Sequence, residues 1–533
     1  MRRRELLAAL GSTPALLGGC TVRERSPLAG GWVGAHAERG HLLREAGTRE
    51  RLLRAAREAL PRRTDTLIVG GGVSGLACAR RLVQAGRDFT LLELEDEAGG
   101  NARGHQMGGF ACPLGAHYLP VPGPQAPEVA QLLEELGVSR QQAGRTVHEE
   151  RFLCHSPQER LFFEGQWHEG LLPPPDSAAT RAQYQRFGQA VTRAQALGFA
   201  MPSQRAPWTP DHAALDAQPF AHWLDAQGLD DPRLRWYLDY CCRDDYGAGA
   251  GTVSAWAGLH YFASRHGFHG GESRVGEEER EAVLTWPEGN AWLTRHMSRP
   301  LGDRLRAGRL VLRVEQGRHQ VEVLAWNAST QTGERWTARQ LVMATPLFIA
   351  AHLVDQAPPA LREAVALQPH APWLVANLQL ASPLLERSGA GLSWDNVIYG
   401  SEQLGYVDAG HQRLDPTPGP TVLTAYWALP ATQRAALLTG SWEAWAQRVL
   451  GPLRAVHPDL PDRLQRMDLM RWGHAMSIPV PGLRGSPALG ALRLPQGTQG
   501  RLHFAHSDLA AYSVFEEAYA AGWTVAGRLL RKA

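Results

Sequence analysis

The sequence predicts an α/β fold, and three observations within Thr66–Arg103 carry the prediction. The first is a switch of period. Leu67-Ile68-Val69 is a short apolar run of buried-strand type, and Leu76, Ala79, Leu82 and Val83 then fall on one face of a helix. The second is the turn between them, where Gly70, Gly72 and Gly75 have G-x-G-x-x-G spacing. The third is a further apolar run, Phe89–Leu92, which follows Gly86 and leads into Glu93. Each part has a physical reason. The first glycine permits the tight turn, the second lets a pyrophosphate approach the backbone, and the third lets helix pack on strand. Val73 and Ser74 open the helix, whose free N–H groups and positive dipole end suit phosphates. Glu93 stands about 20 residues beyond the turn, where a carboxylate can accept both ribose hydroxyl protons. The stretch reads as a dinucleotide-binding unit of Rossmann type.

Shortly after Glu93 comes the pair Gly99-Gly100. With it the stretch resembles the FAD-binding N-terminus of the amine oxidase and phytoene desaturase superfamily, where the acid is followed by Gly-Gly and usually an arginine. Asn101 stands at the arginine's place and Arg103 follows, so Arg103 is the expected counter-charge to the pyrophosphate. The resemblance implies non-covalent FAD in a glutathione-reductase-like, Rossmann-type domain with an inserted α+β substrate domain.

Composition sets the outer limits. A chain of 533 residues allows two or more domains. Lys and Arg number 55 against 53 Asp and Glu, a net charge of +2 that leaves no nucleic-acid footprint. Six cysteines without a C-x-x-C pair argue against a zinc or iron–sulfur site and against a disulfide framework. The neighbours Cys241 and Cys242 read either as small core residues on a helix or as a redox pair.

In chain order, residues 1–20 open with Arg2-Arg3-Arg4 and an uncharged stretch too short for a membrane span. They resemble a twin-arginine export signal ending in a lipoprotein box, Leu17-Gly18-Gly19-Cys20. A lipid on Cys20 would anchor a folded, exported protein at the cell envelope, on the periplasmic side; an ordinary basic tail is the alternative. Residues 21–62 carry leucines at helical spacing and read as a helical extension. Residues 63–125, 285–350 and 495–533 form the three parts of the FAD domain, and residues 126–284 and 351–494 the two parts of the substrate domain.

The superfamily resemblance also assigns positions outside the opening unit. Gly115 and Ala116 would lie beside the isoalloxazine, with His117 pointing into the active cavity or serving as a structural histidine. The backbone of Val314 would hold the adenine. Leu341–Pro346 matches the family's strand and turn. Trp472 and His474 are candidates to line the cavity against the flavin face. Asp508 would bond the ribityl hydroxyls, and Ser513 would cap a helix that begins by Phe515 and steadies charge at flavin N1 and O2. Arg243-Asp244-Asp245 reads as a self-satisfied ion cluster or, with no third ligand evident, a metal site. Trp256, His260 and Tyr261 form either core or a substrate wall.

The implied activity is transfer of a hydride from a small organic substrate, amine-like or with an activated C–H, to flavin N5. The only lysine is Lys532. Many amine oxidases hold a water at N5 through a lysine, so an electron acceptor other than O₂ gains weight here. A redox-neutral isomerase or desaturase and an escort-type binding protein on the same fold stay open. Gly99-Gly100 speaks against an NAD(P) dehydrogenase.

Overall fold

The computed structural model describes residues 28–155, 158–270, 282–411 and 419–531. The export and lipid-anchor reading of residues 1–20, Cys20 included, lies outside the described residues, as does Lys532. The chain enters through strand β1 (Ala29–Trp32) and helix α1 (Ala46–Glu58), so the N-terminal extension contributes a strand as well as helix. Then follows the nucleotide unit: β2 (Pro61–Val69), α2 (Val73–Gln84) and β3 (Phe89–Leu92). Short strands between Gly104 and Glu169, then helices from Ala178 onward, lead to α3 (Pro232–Tyr246). A hairpin of β4 (Arg309–Gln316) and β5 (Val321–Asn327) runs into the long β6 (Thr332–Met343). The strands β7 (His370–Leu380), β8 (Thr421–Ala428) and β9 (Leu464–Ser477) follow, and the chain closes on α4 (Phe515–Arg531).

Among the described residues these strands build two large sheets. In the first, β2 lies between β3 and β6, all parallel, and β6 is flanked by β5 at one end and by Leu502–Phe504 at the other. Where the three run parallel, β3 and the ends of β2 and β6, Leu67–Val69 and Leu341–Met343, are buried and mostly apolar, as parallel strands covered on both faces must be. In the second sheet β7 pairs antiparallel with both β8 and β9, and β1 adds in parallel to the far edge of β9. This is a Rossmann-type α/β domain with a second, mixed domain of sheet and helices.

The glycine turn sits at the C-terminal end of β2, at the edge of that first sheet where α/β folds bind ligands. A Cβ on Gly75 would lie 2.0 Å from the Gly70 carbonyl oxygen, so only glycine lets α2 approach the turn. From the other side α4 packs on α2 as closely: a Cβ on Gly522 would lie 1.9 Å from the Ser74 carbonyl oxygen. The Ser74 hydroxyl donates to the Ala505 carbonyl at 2.6 Å, tying α2 to the strand before α4.

Helix α3 shows why the aromatic, charged run at its end is placed so firmly. Asp231 caps it by accepting from the Arg233 and Leu234 N–H groups, Pro232 fills its first turn, and Gly247 ends it in the left-handed region with φ 72°. Cys241 and Cys242 are free thiols buried in the core on this helix, and burial pushes both well up from the ordinary thiol value. Both are therefore inert core residues rather than a redox pair. Trp256 and His260 are likewise buried and stack on each other at 4.6 Å.

Candidate active site

At the nucleotide end the backbone has the form a dinucleotide requires. Gly72 precedes the first turn of α2 with no side chain capping it, which leaves that turn's N–H groups facing the loop. Gly99 and Gly100 have φ values of 142° and 56°, and the Gly99 N–H donates to the Gly71 carbonyl at 2.8 Å. The two glycine loops thus lie side by side. Glu93, at the end of β3, is buried; it accepts from the Gly71 N–H at 2.6 Å and the Glu95 N–H at 2.9 Å. Burial pushes this carboxyl up, against the two backbone N–H groups that hold it down. Arg103 is buried, bonds the Gly100 carbonyl at 3.3 Å and pairs with Glu95 at 3.4 Å. Its guanidinium lies 5.4 Å from the ring centre of Trp472.

Two positions expected to touch the cofactor are engaged elsewhere. Val314 is itself fully buried, and its carbonyl already accepts from the Asp355 N–H at 2.9 Å where the adenine is expected. Asp508 is fully buried and caps the helix that begins at Leu347, accepting its N–H at 2.9 Å. Its other oxygen meets His370 and His506, each at 3.2 Å. Burial alone would raise this carboxyl, but the two histidines hold it well below the usual carboxylate range. Asp508 thus braces the turn after β6 instead of presenting itself to a ribityl chain.

At the ring end, the walls expected to flank an isoalloxazine touch each other. The Trp472 indole N–H donates to the Leu114 carbonyl at 2.7 Å. The Asn101 amide donates to the Ala475 carbonyl at 2.5 Å. The Ser477 N–H donates to the Ser513 hydroxyl at 3.1 Å, so Ser513 ties β9 to the start of α4 instead of capping the helix. Gly115 and Ala116 are held likewise: Tyr426 donates to the Gly115 carbonyl at 3.1 Å, and the Ala116 N–H to Asn101 at 2.9 Å. Phe515 is buried and stacks on Tyr519. The residues present fit the nucleotide half of a dinucleotide, and at the ring end hydrogen bonds join the two domains.

A distinct cavity opens on the far side of His117. Its wall includes His117, Tyr118, Tyr240, Trp394 and Tyr426, together with three acids, Glu159, Asp244 and Asp395. The His117 ring stacks on Tyr426 at 4.2 Å and sits 5.5 Å from Trp394. Burial pushes this imidazole down to about 3, so it is neutral at ordinary pH. Burial and the neighbouring Asp245 push the Asp244 carboxyl up to about 7, against Arg265 and Arg243. The Asp244 carboxyl makes no hydrogen bond or ion pair among the described residues, and its two neighbours pair outside the run, so the cluster is not self-satisfied as the sequence suggests. Asp245 pairs with Arg265 at 2.8 Å and Arg243 with Asp239 at 3.0 Å. Asp395 is pushed well up by burial, then by Asp244 and Glu159. No group of His, Cys, Asp and Glu among the described residues could hold a metal ion, which removes the metal reading of Asp244 and Asp245.

Neither Trp472 nor His474 lines this cavity. Trp472 lies under Arg103, and His474 lies 4.8 Å from Phe348 and 6.3 Å from His370. The acids Glu159 and Asp395 are absent from the sequence reading. Asp395 carried one usable signal: on an alternating strand, Asp395–Ile398, it stands beside a residue of the opposite face, Asn396, which accepts from Arg160 at 2.6 Å.

The fold and the nucleotide turn define a flavoprotein oxidoreductase. The chain belongs to the flavin containing amine oxidoreductase family, whose model matches residues 73–530. It is 24% identical over 375 residues to the L-amino acid dehydrogenase of Synechocystis sp., covering 68% of this chain and 72% of that one. It is 25% identical over 301 residues to amine oxidase B of Homo sapiens, covering 53% of this chain and 50% of that one. A structure of putrescine oxidase bound to putrescine superposes with a TM-score of 0.67 at 20% identity, over 89% of this chain and all of that one, which shows the shared fold. The chain is therefore an FAD-dependent oxidoreductase of the amine oxidase kind.

Proposed function

We propose that this oxidoreductase acts on a small amine carrying a second cationic nitrogen. The observation that supports this reading is the cavity beside His117, where Glu159, Asp244 and Asp395 face an aromatic wall. Burial raises both Asp244 and Asp395, and like charge adds to it, from Asp245 on Asp244 and from Asp244 and Glu159 on Asp395. An organic cation relieves that repulsion, and the faces of Trp394, Tyr426 and Tyr240 add attraction to its charge. A substrate carboxylate would instead meet the acids, so an amine is favoured over an amino acid.

Flavin, when bound, supplies the hydride acceptor; the chain's own part is to bind, orient and keep dry. The acids hold the distal ammonium, and the neutral His117 offers one donor and one acceptor without adding charge. The reacting amine must lose its proton before oxidation, and a carboxylate of the cavity can take it. The flavin is held without a covalent bond, Glu93 and the Gly70–Gly75 turn being its main anchors. The export signal and lipid anchor at Cys20 belong to the same proposal, supported by Arg2-Arg3-Arg4 and Leu17–Cys20.

The pH dependence tests the substrate class. Asp244, raised to about 7, carries its charge only above that value. The KM for an alkyl diamine is expected to fall as pH rises through about 7, whereas a monoamine of equal length shows no such step. A diamine KM flat from pH 6 to 8, measured by steady-state turnover of the FAD-loaded protein, removes the acids from substrate binding.

A further inference from the structure

The N-terminal extension does more than pack on the surface. It is anchored at both ends, on different domains. Strand β1 pairs in register with β9, from Ala29 opposite Arg466 to Trp32 opposite Leu469, and the Val33 N–H continues the ladder to Leu469 at 2.9 Å. At the other end, α1 lies on β4, β5 and β6 through Leu52, Leu53 and Ala56, all buried. A Cβ on Gly333 of β6 would lie 2.4 Å from the Ala55 backbone, so this contact is close.

Between these anchors, residues 33–45 cross the dinucleotide cleft. Gly34 comes against Leu114 and Met470: a Cβ there would lie 2.7 Å and 3.0 Å from their side chains. Leu114 is the residue whose carbonyl Trp472 holds. Two residues on, the His36 N–H donates to Glu95 at 3.1 Å and its ring meets Asp96 at 2.9 Å. Arg39 pairs with Asp96 at 2.8 Å and donates to the Leu94 carbonyl at 3.0 Å. This is the loop that follows Glu93, the carboxylate for the ribose. Leu43 then packs against the cluster that contains Val314 and against the one that Leu94 adjoins. The strap therefore lies over the loop after Glu93, beside the place where the ribose of a dinucleotide would sit. Through Glu95 it also joins Arg103, which lies on Trp472.

We propose that residues 33–45 are an intramolecular gate on the cofactor cleft, which must lift before FAD enters. The gate and the hydrogen bond of Trp472 to Leu114 act together. Both bridge the two domains, so parting the domains frees the strap, and freeing the strap loosens the wall at Leu114 and Trp472. A device of this kind would hold the protein closed until it meets its flavin. It rests on the family's flavin chemistry and is independent of which amine is oxidised.

The test is flavin uptake, with FAD itself as probe and no turnover involved. Flavin-free full-length protein is mixed with FAD, and quenching of FAD fluorescence is followed in time. Two variants release the strap at different points: the double variant His36→Ala with Arg39→Ala, and Leu43→Ala. Thermal unfolding confirms that each is folded. Uptake is expected on the order of tenfold faster in each, since a few partly exposed pairs and one leucine hold the gate. Uptake unchanged or slower in folded variants overturns the gate. So does unchanged uptake with faster release, the mark of a clasp over bound cofactor. Uptake by no form overturns the flavin reading and the gate with it, whereas equal uptake by all three forms overturns the gate alone.

Discussion

Asp244→Asn is expected to raise the KM for a diamine about a hundredfold while leaving kcat within a few-fold, about the loss seen when one partner of a buried charge pair is removed. The substitution keeps the shape of the side chain and removes only its charge. A monoamine, which has no distal ammonium, is expected to be oxidised as before. The same substitution removes one of three like charges from an enclosed space, so the melting temperature is expected to hold or rise. The two readouts moving apart distinguishes a substrate-binding acid from a structural one. If Asp244 were part of the scaffold, stability and the kinetics of both substrates would fall together. Steady-state kinetics with a matched diamine and monoamine, with thermal unfolding alongside, decides between them.

Arg265→Met is expected to destabilise the folded protein by about 3–5 kcal/mol, because it strands two buried carboxylates. Arg265 lies just past the helix Ala255–Tyr261. It meets Asp245 of α3 at 2.8 Å and Glu516 in the first turn of α4 at 3.5 Å, and all three side chains are less than a tenth exposed. The pairing ties the helical part of the substrate domain to the helix that packs on the nucleotide turn. Denaturant unfolding measures the loss. Adding Asp245→Asn and Glu516→Gln to Arg265→Met should recover much of it, since a buried set with no charges has no charge left unpaired. A loss below about 1 kcal/mol for the single variant would mean that water reaches the two acids.

The nucleotide turn was legible because its constraints are local and of the backbone. Gly75 must be glycine to clear the Gly70 carbonyl, and such a demand leaves a mark at one position whatever the rest of the chain does. The strand at Leu341–Met343 was legible through the family resemblance, its apolar run being a local mark as well. The cavity was not. Glu159, Asp244 and Asp395 come from three separate segments, and only the pairing of Glu159–Phe163 with Asp395–Ile398 brings two of them together. Asp508 misled because its type and place suit a ribityl contact. Its carboxylate is taken by the Leu347 N–H and two histidines, partners that lie far off in the chain or carry no motif. The junction of the two domains at Trp472 was illegible as well. It depends on hydrogen bonds between the two domains, such as that of Trp472 to Leu114, which no local pattern announces.

The most direct test of the substrate assignment is an anaerobic spectral titration of the FAD-loaded protein. Alkyl diamines of increasing length, matched monoamines, neutral alcohols and a basic L-amino acid are added in turn, and loss of the visible flavin band is recorded. The account predicts that a diamine bleaches the band at the lowest concentration, that monoamines need far more, and that the amino acid's carboxylate weakens it relative to the diamine of the same chain. Bleaching by the amino acid or a neutral alcohol at concentrations where no diamine acts would contradict it.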